Sequence, residues 1–158
     1  MSEICPCRSG KSYVSCCEPY HTGAQTAGSA EALMRSRYSA FALAQAQYLI
    51  DTWEGGSCPS LTDLQDDFQA QRVRGERWVN LKIISAQGGE LDEQGEVSFI
   101  ASLISEQQLI LFSEVSQFIK RDGRWLYCAG ESSLSRRKLH RNEPCPCESG
   151  KKWKRCCS

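Results

Sequence analysis

The sequence predicts an α+β fold, and three observations carry the prediction. Before Arg77, apolar residues recur at three- and four-residue steps, the spacing of amphipathic helices. Beyond it, runs of β-branched and aromatic residues partly alternate, as half-buried strands do. Asp122-Gly123 sits between two of those runs and is a strong two-residue hairpin signal, because a type I′ turn needs positive φ at both central positions. Helices followed by an antiparallel meander is the order of an α+β domain.

Ser29 is the N-cap of a first helix expected to run to about Thr52, with Met34, Tyr38, Phe41, Tyr48 and Leu49 on one face. Gly55-Gly56-Ser57 and Pro59 interrupt it. Ser60 followed by Asp63 starts a second helix, with Leu61, Leu64 and Phe68 as its buried stripe. Four strands are expected at Trp78 to Ala86, Val97 to Ser105, Leu109 to Lys120 and Arg124 to Ala129. Gly88-Gly89 and the acidic stretch Glu90 to Glu96 separate the first two.

The ends of the chain carry a repeat. Residues 5–17 read CPCRSGKSYVSCC and residues 145–157 read CPCESGKKWKRCC, with eight identities in thirteen positions and Tyr13 opposite Trp153. The repeat divides the chain into an N-terminal module at 1–22, a central domain at 23–135 and a C-terminal module at 136–158. Formal net charge is zero, yet residues 136–157 hold eight Lys and Arg against two Glu, while the central stretch is acidic. A basic end is set against an acidic middle.

Eight of the ten cysteines lie in the two motifs. No charged start followed by an apolar stretch directs export, and no apolar run is long enough to span a bilayer. The expected location is therefore the cytoplasm, with reduced thiols, where clustered cysteines point to metal or redox chemistry. Zn²⁺ takes four tetrahedral ligands, commonly thiolates. Cys5, Cys7, Cys16 and Cys17 form one candidate set and Cys145, Cys147, Cys156 and Cys157 the other, giving two zinc ions. Pro6 and Ser9-Gly10 reverse the chain between the cysteine pairs. Lys11, Lys151, Lys152 and Lys154 offset the double negative charge of a zinc tetrathiolate.

A segment this short cannot bury enough apolar surface to offset its ordering entropy. Metal can supply on the order of 10 kcal/mol or more. The pairs are Cys-X-Cys and Cys-Cys, and adjacent cysteines on one ion require a distorted backbone. At the N-terminus the fourth ligand is Cys17 or His21. Disulfides and Fe–S ligation are the weaker readings. His140 reads as solvated, and Cys58 and Cys128 as half-buried or core residues.

CPCESGKKWKRCC closely resembles the SEC-C motif, the zinc-binding tail of the SecA preprotein translocase. The resemblance implies one zinc per copy and a basic docking module of the kind that meets an export chaperone, a ribosome or a membrane surface. It carries no ATPase, because no Gly-X-X-X-X-Gly-Lys-Ser/Thr occurs in the chain. CCEPYHTG, LMRSRYSAFALAQAQYLIDTW and FSEVSQFIKRDGRWLYCAGE resemble the YchJ family of bacterial proteins. That resemblance implies a central domain similar to nuclear transport factor 2, a cone of helices wrapped by a curved antiparallel sheet, and no particular activity.

The leading functional reading is a zinc-binding adaptor. Lys151, Lys152, Trp153, Lys154 and Arg155 place an aromatic among cations, suited to an acidic protein surface or to RNA. One alternative is a small-molecule binder or enzyme using the interior of the cone. An enzyme is the weaker of these, since Thr22 to Ser135 holds no histidine and a general base would have to be Asp51, Asp63, Asp66 or Glu114. Arg35 and Arg37 could bind an anion or lie exposed, and Trp53, Trp78 and Trp125 read as core. The remaining alternative is a thiol redox sensor that ejects zinc on oxidation. The oligomeric state is open.

Overall fold

The computed structural model describes residues 3–158. Four helices precede the sheet: α1 (Glu18–His21), α2 (Ala30–Ala42), α3 (Ala46–Asp51) and α4 (Leu61–Val73). The expected caps are in place. Ser29 Oγ accepts the Ala32 N–H and Ser60 Oγ accepts the Asp63 N–H, each at 3.1 Å.

The single helix expected from Ser29 to about Thr52 is two helices. The Gln45 N–H closes on the Ala40 carbonyl at 2.8 Å, and Ala44 takes φ 58°. This left-handed closure usually carries glycine. Alanine there costs about 1–2 kcal/mol and leaves no mark in the sequence, so the apolar spacing runs unbroken through the break. The turn lets α3 fold back, packing Ala46 and Leu49 against Ala40 and against Leu64 of α4. Phe41 meets Phe68 edge-on at 6.2 Å. Leu61 is 37% exposed rather than part of the buried stripe, which is Leu64 with half-buried Phe68.

The four strands are β1 (Arg77–Gln87), β2 (Gln94–Ser105), β3 (Gln108–Arg121) and β4 (Arg124–Lys138). They form one antiparallel sheet in the order β1-β2-β3-β4. Asp122 and Gly123 both have positive φ, 52° and 76°, as the hairpin signal requires. Glu106, at φ 55°, makes the other tight hairpin without a glycine to announce it. Irregular pairing at Trp78/Asn80, Ile83/Ser85 and Gln117/Phe118 bends the sheet.

β4 continues past Ala129 to Lys138, with Ala129 to Lys138 exposed along their length. That half lacks an apolar alternation because it is held by the ladder to Gln108–Gln117 rather than by burial.

The concave face of the sheet closes over α2. Leu81, Val97, Phe99, Ala101, Phe118 and Trp125 pack against Ala30, Leu33, Met34 and Tyr38. The start of α2 is fixed by close approach of backbone. The Ala30 N–H donates to the Gly88 carbonyl at 2.9 Å, and a Cβ on Gly95 would lie 2.6 Å from the Gln87 carbonyl and 2.7 Å from the Ala30 Cβ. Helices packed inside a curved antiparallel sheet are the cone that the family resemblance implies.

Candidate metal centres

The two repeats fold into the same turn. The Cys5 carbonyl accepts the Arg8 N–H at 3.1 Å, and the Cys145 carbonyl accepts the Glu148 N–H at 2.9 Å. Arg8 and Glu148 take φ 63° and 60°, and Gly10 and Gly150 both take 84°. The chain then returns, with the Cys5 N–H on the Lys11 carbonyl at 2.8 Å and the Cys145 N–H on the Lys151 carbonyl at 2.9 Å. A 3-10 turn follows in each copy, Tyr13–Ser15 and Trp153–Arg155. It ends at the first of two adjacent cysteines, where Cys16 has ψ −87° and Cys156 ψ −89°, outside both helix and strand. That is the distortion needed to aim two neighbouring sulfurs at one point.

The result is two clusters of four sulfurs, Cys5, Cys7, Cys16 and Cys17 near one end and Cys145, Cys147, Cys156 and Cys157 near the other, all within 4.8 Å of one another in each cluster. The Cys7–Cys16 and Cys16–Cys17 separations are 3.6 and 3.9 Å. The Cys147–Cys156 and Cys156–Cys157 separations are 3.4 and 3.8 Å. Sulfurs bound at about 2.3 Å to one tetrahedral ion stand about 3.8 Å apart. The donor set therefore fits one metal ion per cluster, and no pair is near disulfide length.

The thiols divide: Cys7 and Cys147 are lowered, while burial raises Cys16, Cys145 and Cys157, and bonds to Cys5 and Cys7 raise Cys17. Ser9 Oγ accepts the Lys11 N–H at 3.2 Å and lies 3.1 Å from Cys16 Sγ, so its proton is free for the sulfur. Ser149 repeats the arrangement with Lys151 and Cys156 at 3.3 and 3.2 Å. The serine of Ser-Gly-Lys thus does more than turn the chain. Bonds from Cys17 and Cys5 hold the Cys7 thiol far below the ordinary range. Burial pushes Cys147 up, but Ser149, Cys156 and Cys145 outweigh it and bring the thiol down to about 6.

The clusters differ in their surroundings. Cys5, Cys7 and Cys17 are buried within the main core. Ser39 of α2 donates to Cys17 Sγ at 3.3 Å and lies 3.5 Å from Cys5 Sγ, and Arg35 donates to the Cys7 carbonyl at 2.8 Å. Cys17, not His21, joins the cluster. His21 Nε2 faces the Ser36 carbonyl at 2.7 Å and so carries the proton, leaving Nδ1 to accept from the Tyr13 hydroxyl at 2.8 Å. Burial lowers the His21 pKa, so the neutral ring braces the module instead of binding metal.

The C-terminal cluster is more open: Cys145 and Cys147 are buried, Cys157 is half-buried and Cys156 exposed. Trp153 corrects the reading of an aromatic displayed among cations. It is 5% exposed, packed with Val79, Ile104, Leu109 and Leu139 at the end of the sheet. Lys151, Lys152, Lys154 and Arg155 remain exposed around it. None of these four lies within ion-pair distance of a carboxylate among the described residues, whereas Arg137 is paired with Glu143 at 2.8 Å. His140 is exposed, and Cys58 and Cys128 are half-buried.

Of the four carboxylates considered as bases, Asp51, Asp63 and Asp66 are exposed, and Glu114 lines a cavity inside the cone. Arg35 and Arg37 are not free surface cations: Arg35 serves the N-terminal module and Arg37 is buried. Ser39 gave no signal in the sequence, since it looks like an ordinary helix residue until the fold aims it, and Arg37 reads there only as an anion binder or an exposed residue. No helix among the described residues is long and apolar enough to cross a membrane.

Comparison with known proteins agrees with this geometry. Residues 29–130 match the family described as YchJ, middle NTF2-like domain. Residues 1–19 and 141–158 match the SEC-C motif. The UPF0225 protein PC1_1977 of Pectobacterium carotovorum is 40% identical over 99% of both chains, and the UPF0225 protein plu2503 of Photorhabdus laumondii is 37% identical over the same share. The solution structure of RPA3114, a SEC-C motif containing protein from Rhodopseudomonas palustris, aligns with a TM-score of 0.66 at 34% identity, covering 83% of this chain and 98% of that one. The crystal structure of a SEC-C motif containing protein from Psychrobacter arcticus aligns with a TM-score of 0.68 at 27% identity, covering 98% and 95%.

Proposed function

The chain belongs to the YchJ family, with a SEC-C motif at each end, and from that premise we propose that it is a two-zinc adaptor that docks an acidic protein surface through its C-terminal module. Soft thiolates in tetrahedral array favour zinc, and the short sulfur separations suit a single ion better than a multi-iron cluster. Cys5, Cys7, Cys16 and Cys17 hold one ion, and Cys145, Cys147, Cys156 and Cys157 the other. The metal fixes the turns, and the turns fix the cations.

The observation that carries the docking role is the set of four cations, Lys151, Lys152, Lys154 and Arg155, unpaired among the described residues, on a scaffold anchored by buried Trp153. A rigid basic face gains more from a complementary surface than a mobile tail does. With Trp153 buried, the ring set among the cations is not available for an RNA base to stack on, so an acidic protein surface is the better fit.

Native mass spectrometry of reduced protein, before and after chelation, tests the metal assignment. Two zinc ions with labelling confined to Cys58 and Cys128 is the expected result, and metal-free protein with disulfides would overturn it. For docking, substitution of Lys151, Lys152, Lys154 and Arg155 by Gln should weaken salt-sensitive binding to polyglutamate while zinc content stays intact. Unchanged binding, or a preference for single-stranded RNA over polyglutamate, would sink the docking assignment.

A further inference from the structure

The interior of the cone carries chemistry that the metal modules do not use. Arg37, on the inner face of α2, is 3% exposed, yet no carboxylate lies within ion-pair distance of it among the described residues. Its Nη1 donates to the Leu49 carbonyl at 2.9 Å and to Thr52 Oγ1 at 2.7 Å. The guanidinium lies 4.9 Å from the centre of the Trp53 ring and 4.7 Å from that of Tyr127. Nε and Nη2, the edge that grips a carboxylate in two parallel bonds, donate to no described residue. Burial lowers the Arg37 pKa to about 10, which leaves the group charged at neutral pH. A buried charge with no carboxylate in contact is costly, and the Glu114 charge in the same cavity and two aromatic faces recover part of that cost.

Arg37 lines a cavity of about 240 Å³ together with Trp53, Glu114, Ser116 and Tyr127, its other walls being apolar. Trp53 Nε1 is buried with no acceptor among the described residues. Glu114 Oε1 accepts from Ser116 Oγ at 2.7 Å and from the Tyr127 hydroxyl at 3.4 Å, while Oε2 receives no donor among the described residues. Glu114 has this position because residue 130 is glycine: a Cβ there would lie 2.1 Å from its carboxylate. The cavity thus offers one unused donor edge, on Arg37, one unused acceptor and aromatic walls. Its volume equals about eight waters, room for a compact molecule of about eight to ten non-hydrogen atoms.

We propose that the cone binds a small organic carboxylate with a hydrogen-bond donor at its far end. The carboxylate sits on the Nε–Nη2 edge of Arg37, beside the Trp53 ring, and the distal donor meets Glu114 Oε2. Arg37 supplies the charge recognition, the rings supply the apolar contact, and Gly130 keeps Glu114 in place. This site is separate from the basic face of the C-terminal module, and either assignment can fail without the other.

The test is an NMR titration of the zinc-loaded full chain, reading the Trp53 indole N–H cross-peak, which Trp53→Phe identifies by its loss. The probes are acetate, benzoate and 4-hydroxybenzoate, with 4-hydroxybenzyl alcohol as the uncharged control. At millimolar concentration at least one carboxylate is expected to shift the indole saturably, and the alcohol to bind about tenfold more weakly or less, as loss of a charge-assisted bond predicts. Arg37→Met should abolish the shift, and Glu114→Gln should reduce binding of 4-hydroxybenzoate while sparing benzoate. Should Arg37→Met fail to fold, the Glu114→Gln comparison and the alcohol control decide. No shift with any carboxylate, equal binding of the alcohol, or an Arg37→Met protein that binds as before would overturn the proposal.

Discussion

Ser39→Ala isolates the support that the fold gives one metal centre and withholds from the other. Ser39 is fully buried, and its hydroxyl donates to Cys17 Sγ at 3.3 Å. Among the described residues no helix side chain plays this part for Cys157, whose cluster lies against the end of the sheet. Alanine removes the hydroxyl and opens no sizeable void, so the loss is that of a hydrogen bond to a charged sulfur, about 1.5–3 kcal/mol. Expressed as metal affinity, that is about tenfold to about a hundredfold, the usual range for a group that orients a ligand. Competition against a chromophoric chelator resolves the two ions as separate phases. The tight phase should weaken by that factor while the other is unchanged, and circular dichroism should match wild type. If both phases weaken together, or neither moves, the hydroxyl does not support the N-terminal centre.

The remaining predictions follow from burial and close packing. During chelation, Cys156 and Cys157 should become alkylated before Cys5, Cys7 and Cys17, because the C-terminal cluster is more open; peptide mapping over time checks the order, and simultaneous labelling contradicts it. Trp153→Ala should cost about 3–5 kcal/mol of packing at the end of the sheet and raise amide exchange from Leu139 onward, with the N-terminal zinc retained. Gly95→Ala drives a Cβ to 2.6 Å from the Gln87 carbonyl and should cost about 1–3 kcal/mol; a fall in Tm of about 2–4 °C per kcal/mol is expected by calorimetry, and an unchanged Tm would show that α2 is free to shift.

What the sequence made legible was local. The cysteine modules could be read because both pairs and the Ser-Gly-Lys turn lie within thirteen residues, and the Asp122-Gly123 hairpin because two adjacent φ angles dictate its residues. The break at Ala44 was hidden, since the closure that usually carries glycine has alanine there. The far half of β4 was hidden for a different reason: its exposed residues contribute backbone to the ladder and no side chain to the core. Trp153 was misplaced because its neighbours in sequence are cations while its neighbours in space are Val79, Ile104 and Leu109, more than forty residues away along the chain. Arg37 and Ser39 share that origin. Helix spacing says which face a residue occupies, and the partners waiting on that face come from other segments.

The repeat at the two ends acquires a physical sense from β1. As the first strand in the order β1-β2-β3-β4, it is an edge, the part of a sheet most open to wrong pairing. Its bulge between Trp78 and Asn80 takes Val79 out of register with β2. The Val79 carbonyl accepts from Arg8 of the N-terminal module, with Nε at 3.1 Å, while the Val79 side chain packs into the cluster around Trp153 of the C-terminal one. Arg77, at the start of the same strand, donates to the Cys157 carbonyl. Both modules therefore close on Arg77 and Val79 of one edge strand, the first through Arg8 of its turn and the second through Trp153 of its own and the Cys157 carbonyl. Each of those turns is built around its cysteines. Metal bound at the two clusters would in this way be coupled to order at the edge of the sheet, which neither module could cover as a free peptide.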